Sequence, residues 1–327
     1  MYSGSFPTLS ALIATSAFFL TSSQLPAQQA GTSSNEPSGL IPPSEFVSTS
    51  SVPVSHSSTL KDNATASPAR PSKVVTSDSQ TDSNLGFLTE LLSHYRQSGN
   101  RQGEANTLCA LGSTYTTLHR QQLAVEQFQS ALVIWRELGN KQREATTLTH
   151  IGDVYRVWGF PDRSVRVYRD AMKVFPFTTD KMSQAAAMNN LGVAYFSLHD
   201  TRKCLEFLNQ ALASYRALHN RQGEAGTLVN IGSTYGFLMN DPHKALDVLQ
   251  EAVTNLELIN DRESEANAQD LLAFVWLKLK KPEMATLSFQ HALSLYSAIG
   301  DVRGRENVLK HLQTKSADES EIFASNH

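Results

Sequence analysis

The sequence lacks the short motifs by which most hydrolases, nucleotide-binding proteins and metalloenzymes are recognised. It contains no HExxH, CxxC, GxSxG or Walker-type glycine-rich pattern. Its histidines are scattered, and the densest polar group is His150, Asp153 and Arg156, spaced at i, i+3 and i+6. Such a group makes a polar contact patch on one helix, whereas an acid–base or metal site would need a nucleophile or another ligand. We therefore predict a protein that is not an enzyme and that holds no metal or cofactor.

Cysteine and net charge are both scarce. The chain of 327 residues has two cysteines, Cys109 and Cys204, and a formal net charge of −3. Two distant cysteines give no disulfide framework, and Cys204 is predicted to be a buried structural thiol. Near-neutral charge without a basic run gives no sign of a nucleic-acid partner or of an anionic membrane partner. We predict that no nucleic acid is bound.

Positive charge is missing from the N-terminus, where no Lys or Arg precedes Lys61. An apolar run from Leu9 to Leu20 is too short to span a bilayer. It predicts a signal peptide over residues 1–30, cleaved after Ala27 or Ala30 and leaving no integral membrane segment. The missing basic residue argues against this interpretation, and a disordered tail or an early start codon is the alternative. We expect a periplasmic or extracellular protein, and otherwise a cytoplasmic one.

Residues 31–83 are rich in Ser, Thr and Pro and have few large apolar side chains. Such a composition cannot bury enough apolar surface to offset the entropy of ordering the chain. It predicts a disordered linker over 31–83, and the polar residues 315–327 predict a disordered tail. The remaining part, 84–314, is predicted to be one helical domain.

This domain repeats itself with a period of forty residues. A small residue recurs at Gly112, Gly152, Gly192, Gly232 and Ala273, and an aromatic residue follows three positions later at Tyr115, Tyr155, Tyr195, Tyr235 and Trp276. One extra residue falls near the turn at Asn240–Pro242. The predicted units are a half-repeat at 84–98, five repeats at 100–139, 140–179, 180–219, 220–260 and 261–300, and a capping helix at 301–314. Periods of this length are typical of solenoids.

Each unit is predicted to be a pair of helices, about 101–118 (helix A) and about 121–137 (helix B) in the first repeat. Apolar residues recur at helical spacing, and an Asn or Asp suited to N-capping stands before each helix A, at Asn100, Asn140, Asp180, Asn220, Asp261 and Asp301. Gly99, Gly139 and Gly300 suit left-handed helix ends, and Pro161, Pro242 and Pro282 suit the first turn of helix B. The prediction is an all-α solenoid of antiparallel helix pairs.

The pattern resembles the tetratricopeptide repeat. Leu111-Gly112, Tyr115, Ala124, Phe128 and Ala131 match the positions that define this family. The forty-residue unit is similar to the long form in kinesin light chain, in Leu-Gly-Asn repeat adaptors and in bacterial arrays linked to caspase-like domains. The resemblance implies a right-handed superhelix whose A helices line a concave groove that binds a protein or an extended peptide.

The resemblance also implies which side chains line this groove. The candidate peptide-binding residues are Asn106, Thr149, His150, Asp153, Arg156, Asn189, Asn190, Asn230 and Ser233. Asn190 and Asn230 share one position in successive repeats, so their amides can pair with a peptide backbone. The alternative is that these amides bond a neighbouring helix. The lysine of the family's carboxylate-binding variant is absent, since its position holds Cys109, Thr149, Asn189, Val229 and Asp270.

We interpret the chain as a non-enzymatic scaffold or adaptor that binds a protein or a peptide. The alternative is a sensor module whose caspase-like or other effector domain is on a separate chain. A third interpretation, a peptide-regulated phosphatase of the helical-repeat type, needs an additional N-terminal helical bundle. Residues 31–83 are too polar and too rich in proline to form that bundle.

Overall fold

A computed structural model describes the backbone of residues 77–325 and the side chains of residues 83–313. These residues form twelve α-helices and no β-strand. In chain order the helices are α1 (Ser77–Ser98), α2 (Arg101–Thr117), α3 (Gln121–Glu137), α4 (Lys141–Val157), α5 (Pro161–Val174), α6 (Lys181–Ser197), α7 (Thr201–Ala217), α8 (Arg221–Ser233), α9 (Pro242–Ile259), α10 (Arg262–Lys278), α11 (Pro282–Ile299) and α12 (Val302–Ser325).

The predicted signal peptide over 1–30 lies outside the described residues, as does most of the predicted linker. The end of that linker is helical instead, because α1 begins at Ser77 and not at residue 84. The final helix runs to Ser325, beyond its predicted end at residue 314. No Pro or Gly interrupts residues 305–325, so nothing in the backbone chemistry stops the helix.

The helices pack as antiparallel pairs that stack side by side, which confirms the predicted all-α array. Helices α2, α4, α6, α8 and α10 are the A helices of the five repeats, and α3, α5, α7, α9 and α11 are the B helices. Helix α4 contacts α6, α6 contacts α8, and α8 contacts α10 across the repeat boundaries. Direct contact between successive A helices places them on the inside of the array. We call these five helices the inner row.

Local sequence signals fix the helix ends as predicted. The Asn or Asp side chain before each A helix accepts a hydrogen bond from the backbone N–H three residues further on. For example, the Gly103 amide donates to Asn100 Oδ1 at 2.8 Å and the Arg143 amide donates to Asn140 Oδ1 at 3.0 Å. Proline occupies the first turn of α5, α9 and α11. Gly99, Gly139 and Gly300 have φ of +69°, +66° and +75°. These contacts satisfy orphan backbone groups at both helix ends.

The small residue at the repeated glycine position brings helices A and B of one repeat close together. A Cβ added to Gly152 would lie 2.6 Å from the ring of Tyr168, well inside van der Waals contact. The ring is fully buried. The glycine therefore admits a large helix B side chain onto the backbone of helix A, and this contact places the Tyr168 hydroxyl beside the next residue, Asp153.

The extra residue of the fourth repeat is absorbed in the helix and not in the turn where it was predicted. Residues Thr234–Leu238 form a short π-helix at the end of α8. The amide of Met239 donates to the carbonyl of Thr234, five residues back, at 3.1 Å. A single wider turn of this kind accommodates one inserted residue, so Asn240 and Pro242 still form a turn like those of the other repeats.

Candidate functional site

The candidate site is the surface of the inner row. Its positions are more open in the first two repeats than in the next two. Ser113 is exposed, and Asn106, His150 and Asp153 are half-buried. Of the equivalent positions in the third and fourth repeats, Ser233 is half-buried and the others named here are buried, at Asn189, Asn190, Val193, Phe196, Val229 and Asn230. We call Asn106, Ser113, His150 and Arg156 the open group, and Asn189, Asn190 and Asn230 the closed group.

The closed group forms a chain of hydrogen bonds between repeats. The Asn230 amide donates to Asn189 Oδ1 at 3.0 Å, and the Asn189 amide donates to Asn190 Oδ1 at 3.2 Å. The Asn190 amide then donates to Asp153 Oδ1 at 2.8 Å. Each of the three asparagines is at most 8% exposed. These amides bond neighbouring helices, which is the alternative interpretation that the sequence left open.

Asp153 is the end of this chain and accepts hydrogen bonds from two side chains. Its Oδ1 accepts from the Asn190 amide and from the Tyr168 hydroxyl. His150 Nδ1 lies 4.0 Å from its Oδ2. Burial first, and then the adjacent carboxylate, raise the pKa of Tyr168 well above its ordinary value, so the hydroxyl stays protonated as a donor. Such a network fixes the stacking of the second repeat on the third.

Tyr168 is a residue that the sequence analysis missed. It lies on helix B at the position that holds Phe128, Leu208, Leu249 and Phe289 in the other repeats. A hydroxyl in an otherwise apolar buried position needs a partner, because an unbonded buried hydroxyl is costly. That single polar substitution was the signal available in the sequence. It marks the second repeat as the one with a polar site on its inner surface.

His150 is the most accessible charged or titratable side chain of the predicted set. Its ring stacks on Phe128 with centroids 5.4 Å apart, and 40% of its side-chain surface is exposed. Desolvation lowers the pKa of His150 and outweighs the attraction of Asp153, while Arg143 lowers it further. The imidazole is therefore largely neutral at neutral pH. It can donate or accept a hydrogen bond at the surface of the inner row.

Arg156 has donors that the described part of the chain does not satisfy. Its Nε and Nη2 are buried and have no hydrogen-bond acceptor there. The neighbouring Asp153 already accepts from two other side chains. A buried unbonded donor costs about 1–3 kcal/mol, and more when charged. These two nitrogens are closed to solvent and lie beside the Tyr168 hydroxyl, where the guanidinium partly offsets the rise in the Tyr168 pKa that burial and Asp153 cause.

The two remaining predicted residues bond within their own helices. Thr149 Oγ1 donates to the carbonyl of Ala145 at 3.0 Å, and Ser233 Oγ donates to that of Val229 at 2.9 Å. Both cysteines are free, and Cys204 is fully buried, as predicted, with its pKa raised to about 11 by burial. Within the described residues no group of three or more His, Cys, Asp or Glu could hold a metal ion. Nor is any described helix both long and apolar enough to cross a membrane.

Comparison with known proteins agrees with this architecture. Residues 183–258 match the family model of the tetratricopeptide repeat. No curated protein sequence matches the chain. A tetratricopeptide repeat domain is typically a protein-binding scaffold and usually non-catalytic, and no catalytic domain is identified within the residues compared.

Solved structures with the same fold share little sequence with the chain. BtubC (BKLC) from P. vanneervenii is 16% identical with a TM-score of 0.60, over 67% of this chain and 92% of that one. Aspartyl phosphate phosphatase F from Bacillus subtilis is 17% identical with a TM-score of 0.61, over 71% and 62%. The repeats of a putative kinesin light chain from Podosopora anserina are 14% identical with a TM-score of 0.51, over 60% and 96%. At such identities the likeness shows the fold alone.

Proposed function

We propose that the array is a non-enzymatic scaffold that binds a protein or an extended peptide on its inner row, centred on the second repeat. The observation that carries this proposal is the open polar surface of the first two repeats, where Ser113 is exposed and Asn106 and His150 are half-buried. A peptide supplies backbone amides and carbonyls that these side chains can bind. The half-buried Arg156 adds a positive charge beside them.

The buried asparagines have a different role in this proposal. Asn189, Asn190 and Asn230 hold successive A helices in register, and a ligand touches the open group alone. This assignment separates binding from stability, because Asn106, Ser113 and His150 can be changed without leaving a buried polar group unpaired, whereas Asp153 also holds two buried donors. Export, predicted from residues 1–30, stays a prediction. The proposed binding does not depend on it.

Position-specific crosslinking tests the proposal. A photoreactive amino acid placed at Ser113 or Thr146 on the inner row is expected to crosslink a host protein in native extract. The same group at the exposed Ser130 or Arg169 of the B helices is the matched control and is expected to give none. Arg156→Ala should weaken binding of the captured partner about 10-fold or more, since a hydrogen bond to a charged group contributes roughly 1.5–3 kcal/mol.

Two results would contradict the proposal. Crosslinks that arise equally from the B helix positions would place the working surface on the outside of the array. If the affinity of the partner is unchanged by Arg156→Ala but lost with the exposed Arg166→Ala, the binding surface of the second repeat lies on helix B.

A further inference from the structure

An ion pair joins one unit of the array to the next at three of the points where a helix A follows the preceding helix B or α1. A carboxylate in the first turn of helix A accepts a hydrogen bond from an arginine eight residues earlier, near the end of the preceding helix. The pairs are Glu104 with Arg96, Glu144 with Arg136 and Glu224 with Arg216, at 3.0, 2.9 and 2.7 Å. These pairs tie the start of helix A to the unit before it.

The junction between the fourth and fifth repeats lacks this ion pair. Its carboxylate, Glu265, is present and only 6% exposed. The residue eight positions earlier is Glu257 and not an arginine. Among the described residues the one ion-pair partner of Glu265 is His291 of α11, at 3.4 Å. A buried carboxylate therefore has an acidic neighbour at the position where the other junctions have an arginine.

The inner row is also interrupted at this junction. The asparagine hydrogen bonds described above join the third repeat to the second and the fourth to the third. In the fifth repeat Leu271 occupies the position of Asn190 and Asn230, so this series of bonds ends. The adjacent Asp270 has no hydrogen-bond partner for its buried Oδ1 in the described residues. Of the four junctions between full repeats, this one has neither the arginine ion pair nor the asparagine bond within the described part of the chain.

Lys278 supplies a polar link between these two repeats at the other end of α10. It is the last residue of that helix, and its Nζ donates to the carbonyl of Gly236 at 2.6 Å and to Asn240 Oδ1 at 3.1 Å. Both acceptors belong to the fourth repeat. Glu265 lies thirteen residues before Lys278, about 20 Å away along the helix. Helix α10 is therefore tied to the fourth repeat at its C-terminal end and lacks the arginine ion pair at its N-terminal end.

The surroundings of Glu265 disfavour its charge. The charged or titratable groups around it are Glu257 on α9, Asp261 and Arg262 at the start of α10, and His291 on α11. Burial is the main cause that raises the pKa of Glu265, and the two acidic neighbours raise it further, while His291 and Arg262 offset only part of the rise. At Glu144, by contrast, the paired cations outweigh burial and lower the pKa. Protonation of Glu265 therefore stabilises this junction.

Asp270 responds to pH in the same direction. Burial raises its pKa to about 7, and no charged side chain of α8 or α9 contributes to this shift. From α11 it faces Tyr296, whose hydroxyl donates to Asn267 at 2.8 Å. Burial first, and then Asp270, raise the pKa of Tyr296, so this hydroxyl stays protonated. Glu265 and Asp270 thus contribute stability when protonated, and this contribution is lost as pH rises through their raised pKa values.

We propose that the junction between the fourth and fifth repeats is a pH-dependent joint, at which α10, α11 and α12 separate from α9 more readily when Glu265 and Asp270 are ionised. Each repeat of a solenoid contacts only its neighbours, so the first four repeats stay folded when the last one opens. The bonds of Lys278 lie on the side that stays closed. The open group of the first two repeats lies outside this joint, so the proposal does not depend on the proposed binding site.

Hydrogen exchange of the full chain, measured by mass spectrometry and corrected for the intrinsic exchange rate, tests this proposal. We expect the protection of α10 to fall about 10-fold between pH 6 and pH 8.5, because pH 6 lies one unit below the pKa of Asp270. Helix α2, in the repeat at the other end of the array, is the internal reference. Its protection should change by less than about 2-fold, since its junction carboxylate is paired with arginine.

Two variants separate the contributions of the two acids. Glu257→Arg, at an exposed position, restores the arginine of the other junctions and should raise the protection of α10 about 5-fold or more at pH 8.5. Asp270→Asn should remove most of the pH dependence. The matched control is Glu206→Arg, which makes the same charge change at an exposed position of α7 and should alter neither.

Three results would overturn the proposal. An equal loss of protection in α2 and α10 as pH rises would assign the effect to the whole array. No gain from Glu257→Arg, or a gain equal to that from Glu206→Arg, would show that the missing arginine does not weaken this junction. A pH dependence of α10 that persists in Asp270→Asn would assign it to another group.

Discussion

Two carboxylates on the inner row, Asp153 in the second repeat and Asp270 in the fifth, have opposite surroundings. Asp153 accepts hydrogen bonds from Tyr168 and Asn190. Asp270 has a buried Oδ1 with no hydrogen-bond partner in the described residues, and burial raises its pKa to about 7. The comparison shows that the same side chain on the inner row is hydrogen-bonded by neighbouring helices in one repeat and left without a partner at Oδ1 in another.

The difference lies in the residues that surround each carboxylate. Around Asp153 a helix B tyrosine and an asparagine of the next repeat replace apolar residues. Near Asp270 the flanking Leu271 and Leu272 are apolar, and the hydroxyl of Tyr296 donates to Asn267 at 2.8 Å instead. The second repeat thus contributes a charged, hydrogen-bonded surface. The fifth holds an acid that ionises at a cost to folding.

The largest expected effect comes from removing the charge of Asp270. Its pKa is near 4 in the unfolded chain and about 7 in the folded one. Its contribution to stability is therefore fully present below about pH 4 and is lost as pH rises through about 7. Asp270→Asn should raise the free energy of unfolding at pH 9 by about 2–4 kcal/mol, from about 1.4 kcal/mol per pKa unit. Urea titrations of both proteins at pH 5 and pH 9 measure this.

If the two proteins keep the same difference in stability at pH 5 and at pH 9, Asp270 is not the titrating group. The exposed Asp162 provides a control, since Asp162→Asn should leave the pH dependence unchanged.

A smaller effect of opposite sign, a loss of stability, is expected on removing the partnered carboxylate of Asp153. Asp153→Ala leaves the Tyr168 hydroxyl and the Asn190 amide buried without their acceptor, at about 2–3 kcal/mol in total. Thermal and urea unfolding measure the loss. Asp170→Ala, on the exposed face of α5, should change stability by less than about 0.5 kcal/mol. If Asp153→Ala leaves the free energy of unfolding nearly unchanged, water has replaced the carboxylate as the acceptor.

The smallest expected effect comes from removing one of the two donors to Asp153. Tyr168→Phe keeps the ring against Gly152 and deletes the hydroxyl, so about 1 kcal/mol of stability should be lost. In a double-mutant cycle with Asp153→Ala, a coupling free energy of about 1 kcal/mol is expected. Additive losses would mean that the two side chains stabilise the array independently.

The features that were predicted correctly from the sequence are those that depend on a few neighbouring residues. The caps at Asn100 and Asp301, the prolines that begin three B helices and the left-handed Gly139 depend on local backbone chemistry alone. The forty-residue period then gives the stacking of helix pairs. The π-helix at Thr234–Leu238 was missed because a residue added to a turn and a residue added to a helix look alike in a sequence.

Side-chain partners in the site could not be predicted in the same way. An asparagine at the inner position can face a ligand or a neighbouring helix, and the choice depends on distances between helices from different repeats. Asn190 and Asn230 reach acceptors on the preceding A helix, so they are closed to a ligand. The same position type gives the opposite result at Asp270, because no donor among the described residues reaches its Oδ1.

All the junctions in front of the A helices and the final helix, except the one at Thr179-Asp180, have a left-handed residue followed by an N-cap. Gly99-Asn100, Gly139-Asn140, His219-Asn220, Asn260-Asp261 and Gly300-Asp301 all have this form. Unequal recombination between any two of them joins a left-handed residue to a cap and recreates a working turn. A gene of this kind can gain or lose whole repeats in one step, and binding surfaces of different length can arise without a folding defect at the new joint.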